Sequence, residues 1–455
     1  MPLFVVADSL TKLLSLGDYN TRVVLLGTTL LGIAAGIVGT FMLLRRQSLV
    51  GDVVSHAALP GVAIAFLVGE MILPGSGRSL SGLLTGAAIS GLLAVGAMSA
   101  IRRWSKIKPD AALATVLGVF FGGGAVLFKV VQEMPAGNRA GLQHFILGSA
   151  STMTAGDVWL IAKVAVAVLV LSWLIFKELS LLAFDEEFAA TQGWPVGVLD
   201  LGLLGLVVAV TVIGLQSVGV LMVALLITPA TASRFWTEKL SRMTLLAALF
   251  GGGSALVGTL ASALIPKLAG GPTIVLAGTC VFVLSLLFGT ERGLLVRWQQ
   301  QREIEQRVGR HDLLRAMYEV IEASLPGDQS LSVEQLPGRA VKFLELQMKR
   351  SWSVRRLTQL INRNLTAGLI RFDSEDGWRL THAGALEAQR IVRNHRLWEL
   401  YLIQCADFGA SHVDRRADDI EHVLEPEVIE QLERSVAARD LRRDVPPSPH
   451  PVESV

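Results

Sequence analysis

The chain is poor in cysteine, tyrosine and charge. Its 455 residues include two cysteines and three tyrosines, and 18% of them are charged. Cys280 and Cys405 lie far apart in sequence, which excludes a disulfide framework and a cysteine-based zinc cluster. No segment fits the phosphate-loop pattern G-x-x-x-x-G-K followed by Ser or Thr. The sequence therefore predicts that this chain binds no nucleotide, and that any nucleotide hydrolysis occurs on another chain.

Apolar residues are abundant and unevenly distributed. Hydrophobic residues make up 51% of the chain and the mean hydropathy is +0.51, which is high for a soluble enzyme. Apolar runs of about 20 residues, the length that spans a bilayer, recur up to about residue 290. The candidate spans are about 22–44, 54–73, 80–101, 110–131, 156–176, 197–215, 217–233, 243–265 and 272–290. The seventh is short and interrupted, which is also typical of half of a broken transporter helix.

Basic residues indicate how these spans are oriented. They follow the first, third, fifth, seventh and ninth candidates: Arg45, Arg46, Arg102, Arg103, Lys106, Lys108, Lys177, Arg234, Lys239, Arg242, Arg292 and Arg297. With nine spans, all of them fall on one side of the membrane, which the positive-inside rule makes cytoplasmic. The part of the chain after the last span is then cytoplasmic as well.

A pair of ionisable residues interrupts the second apolar run. Asp52 and His56 are four residues apart and share one face of a helix. Ionisable groups at membrane depth are costly and by default mark an ion or substrate path. A carboxylate and an imidazole suit Mn²⁺, Fe²⁺ or Zn²⁺, although further groups or water must complete the ligand shell. We expect a site for a metal in transit, and a structural polar contact between helices is the alternative.

The loop between the fifth and sixth spans has a helical pattern. Residues 179–196 place Asp185, Glu186 and Glu187 at a first helical turn, where the helix dipole favours acids, and Gly193 close to the end. This segment fits either a docking helix for a cytosolic partner or a solvated connector.

After Leu295 the sequence takes the pattern of a soluble domain. Its elements form a winged helix-turn-helix plan: a helix at 311–323, a helix pair at 334–348 and 353–366, a two-stranded wing at 369–380 and a long helix at 382–404. Arg350, Arg355 and Arg356 form a basic cluster around the second helix of the pair. The cluster fits DNA, anionic lipid or plain solvent, and the near-neutral charge of the domain weighs against DNA.

Three segments resemble the permease subunits of zinc, manganese and iron ABC transporters. They are LLRRQSLVGDVVSHAALPGVAIAF, LLAFDEEFAATQGWP and VGVLMVALLITPATASRFWT, within residues 20–290. The resemblance implies that Asp52 and His56 contact the transported metal and that the loop Asp185–Trp194 docks an ATPase. It also implies a separate ATPase chain, an extracytoplasmic metal-binding protein and a second, identical or similar permease subunit in the bacterial inner membrane. This chain would then be no enzyme.

Residues from about 310 to 440 resemble the diphtheria-toxin-repressor and manganese-regulator family. The strongest segments are RIVRNHRLWELYL and DDIEHVLEPEVIEQL, with WRLTHAGALEA and LLRAMYEV in support. The resemblance implies regulatory metal ligands at Asp312, His395, Asp418, Glu421 and His422, and accessory ligands at Glu399 and His412. Without this resemblance, a solvated helix face would explain Asp418, Glu421 and His422. Arg315 stands where manganese-type members have a carboxylate, which argues against a full two-metal manganese site.

These observations predict an all-α polytopic membrane domain of eight or nine transmembrane helices. A cytoplasmic winged helix-turn-helix domain follows, with an α-helical metal-binding and dimerisation extension. The expected division is a permease domain at 1–292, a linker at 293–309, a winged-helix domain at 310–380, a helical metal-binding region at 381–440 and a disordered tail at 441–455. The predicted function is import of Mn²⁺, Zn²⁺ or Fe²⁺, with a fused domain that senses the metal and regulates transport. The alternative is a membrane-tethered, metal-dependent transcription regulator whose partner is DNA.

Overall fold

The computed structural model describes residues 19–73, 77, 79–134, 154–265, 268–324, 333–373, 377–405 and 431–432. Contacts between residues divide the chain into two compact units, Met1–Arg297 and Trp298–Val455. Helices make up almost all of the described structure, and a two-stranded antiparallel sheet lies in the second unit.

Eleven helices of the first unit fall within the described residues. They are α1 (Tyr19–Leu44), α2 (Val50–Ile72), α3 (Leu80–Trp104), α4 (Pro109–Glu133), α5 (Ala155–Leu174), α6 (Phe176–Phe184), α7 (Glu186–Thr191), α8 (Val196–Ser217), α9 (Met222–Arg234), α10 (Leu240–Leu264) and α11 (Gly270–Phe288). Eight of them, all except α6, α7 and α9, are long and apolar enough to cross a membrane. The chain is therefore a multi-pass membrane protein, as the sequence predicts.

The seventh candidate span is a short helix that follows a break. Helix α8 ends at Ser217, Gly219 takes a left-handed backbone conformation with φ of 74°, and one 3₁₀ turn leads into α9. The 13 residues of α9 rise about 20 Å, less than the roughly 30 Å of a bilayer's hydrocarbon core. The structure therefore agrees with the interpretation of this segment as part of a broken helix.

Glycine allows neighbouring helices to pack with their backbones almost in contact. A Cβ atom on Gly32 of α1 would overlap the carbonyl oxygen of Gly251 of α10. In the same way, a Cβ atom on Gly61 of α2 would overlap the carbonyl oxygen of Gly86 of α3. Small residues at such crossings stabilise helix pairs in membranes, where no hydrophobic effect drives one helix against another.

These packing contacts also fix the directions of the helices. Gly36 of α1 lies against Ala247 of α10, while Gly32 lies against Gly251, so the two helices are antiparallel. The same reasoning makes α3 antiparallel to α2, since the hydroxyl of Ser90 donates to the carbonyl of Ala57 four residues before Gly61. Helix α4 runs parallel to α2, because its residues 121 and 124 contact residues 56 and 60 in that order.

These helix directions bring the basic clusters to one end of the first unit. This end is named the basic end. The ends of α9 and α11 meet there, where the backbone N–H groups of Glu291 and Arg292 donate to the carbonyl of Phe235 at 3.0 and 3.2 Å. Phe41, near the end of α1, also packs edge-on against Phe176 of α6, with ring centroids 5.6 Å apart. The residues that this arrangement brings to the basic end are Arg45, Arg46, Arg102, Arg103, Lys106, Lys108, Lys177, Arg234, Lys239, Arg242 and Arg292.

The second unit has a helical core and a hairpin. Its elements are α12 (Leu294–Ala323), α13 (Phe343–Arg350), α14 (Val354–Thr366), β1 (Ile370–Asp373), β2 (Gly377–Leu380) and α15 (His382–Cys405). Ile370 pairs with Leu380 in the hairpin, and both side chains are buried in the core with Leu313 and Leu357. Residues 294–309, assigned to a linker from the sequence, are helical and continuous with the first predicted helix of this domain.

One predicted helix is shorter than expected. The pattern at 334–348 predicts a helix from residue 334, but α13 begins at Phe343. Pro337 and Gly338 lie in a 3₁₀ turn before it, and both residue types disfavour an α-helix interior. Val341 is extended and exchanges two backbone hydrogen bonds with Trp378 of the hairpin, at 2.8 and 3.1 Å. The backbone of this stretch is therefore bonded to the hairpin and does not extend the helix.

Candidate functional site

Asp52 and His56 lie on the first two turns of α2, close to the basic end. His56 Nε2 is 3.6 Å from Asp52 Oδ1, and the two side chains are 26% and 42% exposed. The ring of His56 meets Phe121 of α4 edge-on, with centroids 5.0 Å apart. His56 Nδ1 is buried and has no hydrogen-bond partner among the residues that the structure describes. The pair is thus partly exposed and lies beside an aromatic ring.

The geometry of this pair fits a shared divalent ion. Ligands that each lie about 2.1 Å from one ion are separated by about 3.0–3.6 Å when the angle between them is about 90–120°. The distance between Asp52 Oδ1 and His56 Nε2 falls at the upper end of this range. Two ligands do not complete a shell for Mn²⁺ or Zn²⁺, so further oxygen or nitrogen atoms are needed.

Prolines in two helices leave backbone oxygen atoms without their usual donors. Pro60 in α2 and Pro229 in α9 have no N–H, so the carbonyl groups four residues earlier, those of His56 and Leu225, lack a helical hydrogen bond from that position. Helix α9 packs against the start of α2, where Leu226 Cδ1 lies 3.4 Å from a Cβ atom built on Gly51.

A short exposed segment connects α5 to α8 at the basic end. This coupling segment, residues 176–194, comprises α6, α7 and the turn after them. Asp185 is the N-cap of α7 and accepts a hydrogen bond from the backbone N–H of Phe188 at 2.8 Å. Glu186 and Glu187 occupy the first turn, and Gly193, with φ of +82°, reverses the chain after the helix. The acids therefore sit where the helix dipole favours them, as the sequence predicts.

The coupling segment presents apolar side chains among its acids. Phe184, Phe188 and Trp194 are 68%, 49% and 43% exposed, whereas Leu179 and Leu182 are buried against the helices of the first unit. One face of the segment is therefore anchored and the other displays aromatic rings. Exposed aromatic residues with a charged rim are typical of a surface that binds another protein.

Arg45 contacts the coupling segment. The sequence indicates it only as one of the basic residues that orient the membrane helices. Its guanidinium donates to Glu186 Oε2 at 2.7 Å, to Asp200 Oδ1 at 2.8 Å and to the carbonyl of Leu182 at 3.1 Å. Burial by itself lowers the pKa of Arg45, but the hydrogen bonds that it donates to both carboxylates outweigh burial and raise the pKa above its ordinary value. Arg45 therefore ties the end of α1 to the coupling segment and to the start of α8.

The second unit contains a buried polar cluster at one of the predicted metal sites. Arg315 Nη1 is 3.0 Å from His395 Nδ1, and His395 Nε2 is 3.2 Å from Glu399 Oε1. Arg315 Nε donates to Glu319 Oε1 at 2.7 Å. The residue-level exposures of Arg315, His395 and Glu399 are 4%, 2% and 1%. The cluster thus brings together one regulatory and one accessory residue of the predicted set, His395 and Glu399. Arg315 lies on the other side of His395, between it and Glu319.

Of the other predicted ligands, one lies on α12 and four lie outside the described residues. Asp312 lies half-buried on α12, one turn before Arg315. Four predicted ligands lie outside the described residues: His412, Asp418, Glu421 and His422. Within the described part of the chain, no three His, Cys, Asp or Glu side chains are grouped to hold a metal ion.

The predicted basic cluster is divided between two settings. Arg355 and Arg356 are exposed in the first turn of α14, whose N-cap Ser353 accepts a hydrogen bond from the Arg356 N–H. Arg350 is 20% exposed, and its Nη2 lies 3.6 Å from Glu319 Oε1. Two of the three arginines are therefore presented to solvent, and the third lies beside a partly buried carboxylate.

Eight membrane-crossing helices, an acid–imidazole pair on one of them and exposed aromatic rings at the basic end are features of a transport subunit of the membrane. Residues 18–289 match the ABC 3 transport family. The chain belongs to this family, which confirms the first resemblance. Residues 381–447 match the metal-binding and dimerisation domain of iron-dependent repressors, in agreement with the second resemblance.

Individual relatives agree with the assignment to a transport family. The chain is 37% identical over 391 residues to the manganese transport system membrane protein MntC of Bacillus subtilis, covering 86% of each chain. It is 46% identical over 287 residues to the zinc transport system membrane protein TroC of Treponema pallidum, covering 63% of this chain and 94% of TroC. Among solved structures, PsaBC from Streptococcus pneumoniae in complex with Fab matches with 31% identity and a TM-score of 0.55, covering 65% of this chain and 99% of that one.

Proposed function

We propose that this chain is the permease subunit of an ABC importer for divalent transition metals and that the ion passes Asp52 and His56. The observation that carries the proposal is the 3.6 Å separation of a carboxylate and an imidazole on a membrane-crossing helix. The names of the relatives favour Mn²⁺ and Zn²⁺ as cargo, and the ligand types admit Fe²⁺ as well. Carboxylate and imidazole would replace part of the ion's water shell during passage.

The partners follow from what the chain carries and what it lacks. It has no phosphate loop, so a separate ATPase would bind the coupling segment through its acids and its exposed aromatic rings. A second permease subunit would supply the remaining wall of the pathway, and an extracytoplasmic metal-binding protein would deliver the ion. Applied to the basic end, the positive-inside rule places that end and the C-terminal unit in the cytoplasm of a bacterium, with the helices in its inner membrane.

Uptake measurements on site variants test this proposal. Asp52→Ala and His56→Ala each remove a ligand, so initial Mn²⁺ and Zn²⁺ uptake should fall at least about tenfold, with unchanged abundance in the membrane. Asp110→Ala is a matched control, because Asp110 is an exposed acid in the first turn of α4 at the same end. Full uptake in both site variants would overturn the proposal.

For the C-terminal unit, we propose a feedback gate. Cytoplasmic metal would bind the regulator-type ligands, Glu421 and His422 among them, and would slow further import. The match of residues 381–447 to a metal-binding and dimerisation domain supports this role. The exposed Arg355 and Arg356 of α14 favour a second candidate, a membrane-tethered transcription regulator. Chromatin immunoprecipitation of the intact chain separates the two, because a gate enriches no DNA segment.

A further inference from the structure

The cluster around His395 contains a permanent cation where a metal-binding cluster needs unoccupied lone pairs. Arg315 is 4% exposed, and its guanidinium is held on one side by Glu319 and on the other by His395. A guanidinium is a donor only, and it keeps its charge in proteins. His395 Nδ1 must therefore be the acceptor in the 3.0 Å contact between Arg315 Nη1 and His395 Nδ1.

This hydrogen bond fixes the state of the imidazole. A neutral imidazole has one lone pair and one N–H, so acceptance at Nδ1 places the proton on Nε2. His395 Nε2 lies 3.2 Å from Glu399 Oε1, which is ion-pair distance, but the two atoms do not form a hydrogen bond. The lone pair of Nδ1 is thus engaged by Arg315, and Nε2 carries the proton. In this tautomer, neither ring nitrogen of His395 can bind a metal ion.

Metal binding and the Arg315–His395 hydrogen bond are therefore mutually exclusive. An ion at Nδ1 takes the lone pair that Arg315 uses. An ion at Nε2 moves the proton to Nδ1, where an N–H of the ring would face an N–H of the guanidinium 3.0 Å away. Whichever nitrogen binds the metal, the guanidinium has to leave the ring.

The surroundings of Glu319 give the guanidinium a second anchor. Glu319 holds Arg315 through Nε at 2.7 Å, independently of the contact with His395. Lys349 and Arg350 also lie 3.7 and 3.6 Å from the same carboxylate. Burial by itself raises the pKa of Glu319, but the charge of Arg315 and those of the other two cations outweigh it and lower the pKa. The carboxylate stays ionised, so Arg315 keeps a partner when it releases the ring.

We propose that Arg315 is a built-in competitor of the regulatory metal for His395 and that it weakens metal binding by the C-terminal unit. The inference rests on the proposed feedback gate. It adds that Arg315 sets the metal concentration at which the gate responds. Metal binds only at concentrations high enough to displace the guanidinium. A transporter that is inhibited by its own cargo needs such a weak sensor, because a tight one would be saturated before import was complete.

Equilibrium Mn²⁺ binding to the purified full-length chain tests the inference. Free Mn²⁺ is measured by electron paramagnetic resonance, in an Asp52→Ala/His56→Ala parent that lacks the proposed transport site. Adding Arg315→Met should tighten Mn²⁺ binding at least about tenfold, equivalent to about 1.4 kcal/mol. Adding His395→Gln to Arg315→Met should abolish the gain, because the freed lone pair belongs to His395.

A charge-matched control separates competition from a general loss of positive charge. Lys349→Met removes a cation from the same carboxylate, Glu319, and should leave the affinity within about twofold. If Arg315→Met does not fold, Arg315→Gln keeps an amide donor without the charge, and a gain of at least about threefold is expected. The inference is overturned if the Arg315 variant that folds binds Mn²⁺ no more tightly than the parent, or if the gain survives His395→Gln.

The outcome for the gate is measured separately. Metal accumulation in cells that carry Glu421→Ala and His422→Ala reports on the gate itself. Tighter binding in Arg315→Met with normal accumulation in those cells would support the competitor and reject the gate. An affinity independent of Arg315, with excess accumulation in those cells, would reject the competitor and support the gate.

Discussion

At the scale of single residues, Arg45 joins the end of α1 to the coupling segment and the start of α8, which lie about 140–155 residues later in the sequence. Its side chain is 9% exposed and contacts Glu186, Asp200 and the carbonyl of Leu182. Asp200 also accepts a hydrogen bond from Gln47 at 3.3 Å. A force applied to the coupling segment can thus reach the turn between α1 and α2, directly before the helix that carries the proposed metal pair.

Replacing Arg45 should uncouple the segment from the membrane helices. Arg45→Ala leaves Asp200, which is 20% exposed, without its strongest partner, at a cost of about 1–3 kcal/mol. We expect Mn²⁺ uptake per membrane-inserted molecule to fall about fivefold or more. Arg46→Ala is the control, because Arg46 is adjacent and exposed and no ion pair of its side chain is found in the described structure. Equal uptake in the two variants would contradict this role.

Arg315 makes a contact that the sequence does not predict. The sequence indicates Arg315 only as the position at which manganese-type regulators have a carboxylate ligand and this chain has an arginine. The structure places its guanidinium against His395, 80 residues later, and against Glu319. Sequence spacing predicts the contact with Glu319, since residues four apart share a helix face, but it carries no information on a contact between α12 and α15.

At the scale of secondary-structure elements, the crossing of α2 and α3 positions the proposed metal pair. Gly61 and Gly86 meet there, and the crossing lies just over one helical turn beyond His56. The hydroxyl of Ser90 adds a 2.6 Å hydrogen bond to the carbonyl of Ala57. A larger side chain at the crossing would separate the two backbones and shift the face of α2 that carries the pair.

A pair of glycine variants tests this crossing. Gly61→Ala should destabilise the purified protein by about 1–3 kcal/mol, because its Cβ atom would overlap the carbonyl oxygen of Gly86. Gly96→Ala in α3 should be neutral or stabilising by up to about 1 kcal/mol, because nothing lies within 4 Å of a Cβ atom there. Fluorescence-detected thermal unfolding in detergent measures both, and a midpoint for Gly61→Ala equal to that for Gly96→Ala would be inconsistent with close packing at the crossing.

The elements themselves were largely predictable, and their exceptions have local causes. Apolar runs located all eight long helices of the first unit, since bilayer thickness sets their length. The short α9 and the late start of α13 follow from Gly219 and from the Pro337–Gly338 pair. The sequence contained these signals, but it did not show that Val341 would take its hydrogen bonds from the hairpin.

At the scale of the whole molecule, one chain combines a transport unit with a regulator-type unit. The match to MntC of Bacillus subtilis covers 391 residues and therefore extends past the permease match at 18–289. Covalent attachment keeps a sensor at a fixed number of copies per permease. The arrangement favours control of transport itself over control at a distant site.

The feedback gate predicts a cellular phenotype. Cells with the Glu421→Ala/His422→Ala chain should accumulate more Mn²⁺ than cells with the unchanged chain when external Mn²⁺ is high. The two should not differ when external Mn²⁺ is scarce, because the proposed sensor is then empty. Total cellular manganese, measured by mass spectrometry at both concentrations, tests this, and equal accumulation at high Mn²⁺ would count against the gate.

The sequence by itself determined the class of the protein, its membrane helices, the acid–imidazole pair and the pattern of the winged domain. These follow from composition and from short-range periodicity, which the physics of burial and of helix geometry fix locally. Tertiary structure alone decided that Arg45 ties the coupling segment to α1 and α8 and that Arg315 holds His395. Such contacts depend on which helices pack together, and packing is chosen by the shape of whole faces, not by the spacing of two residues.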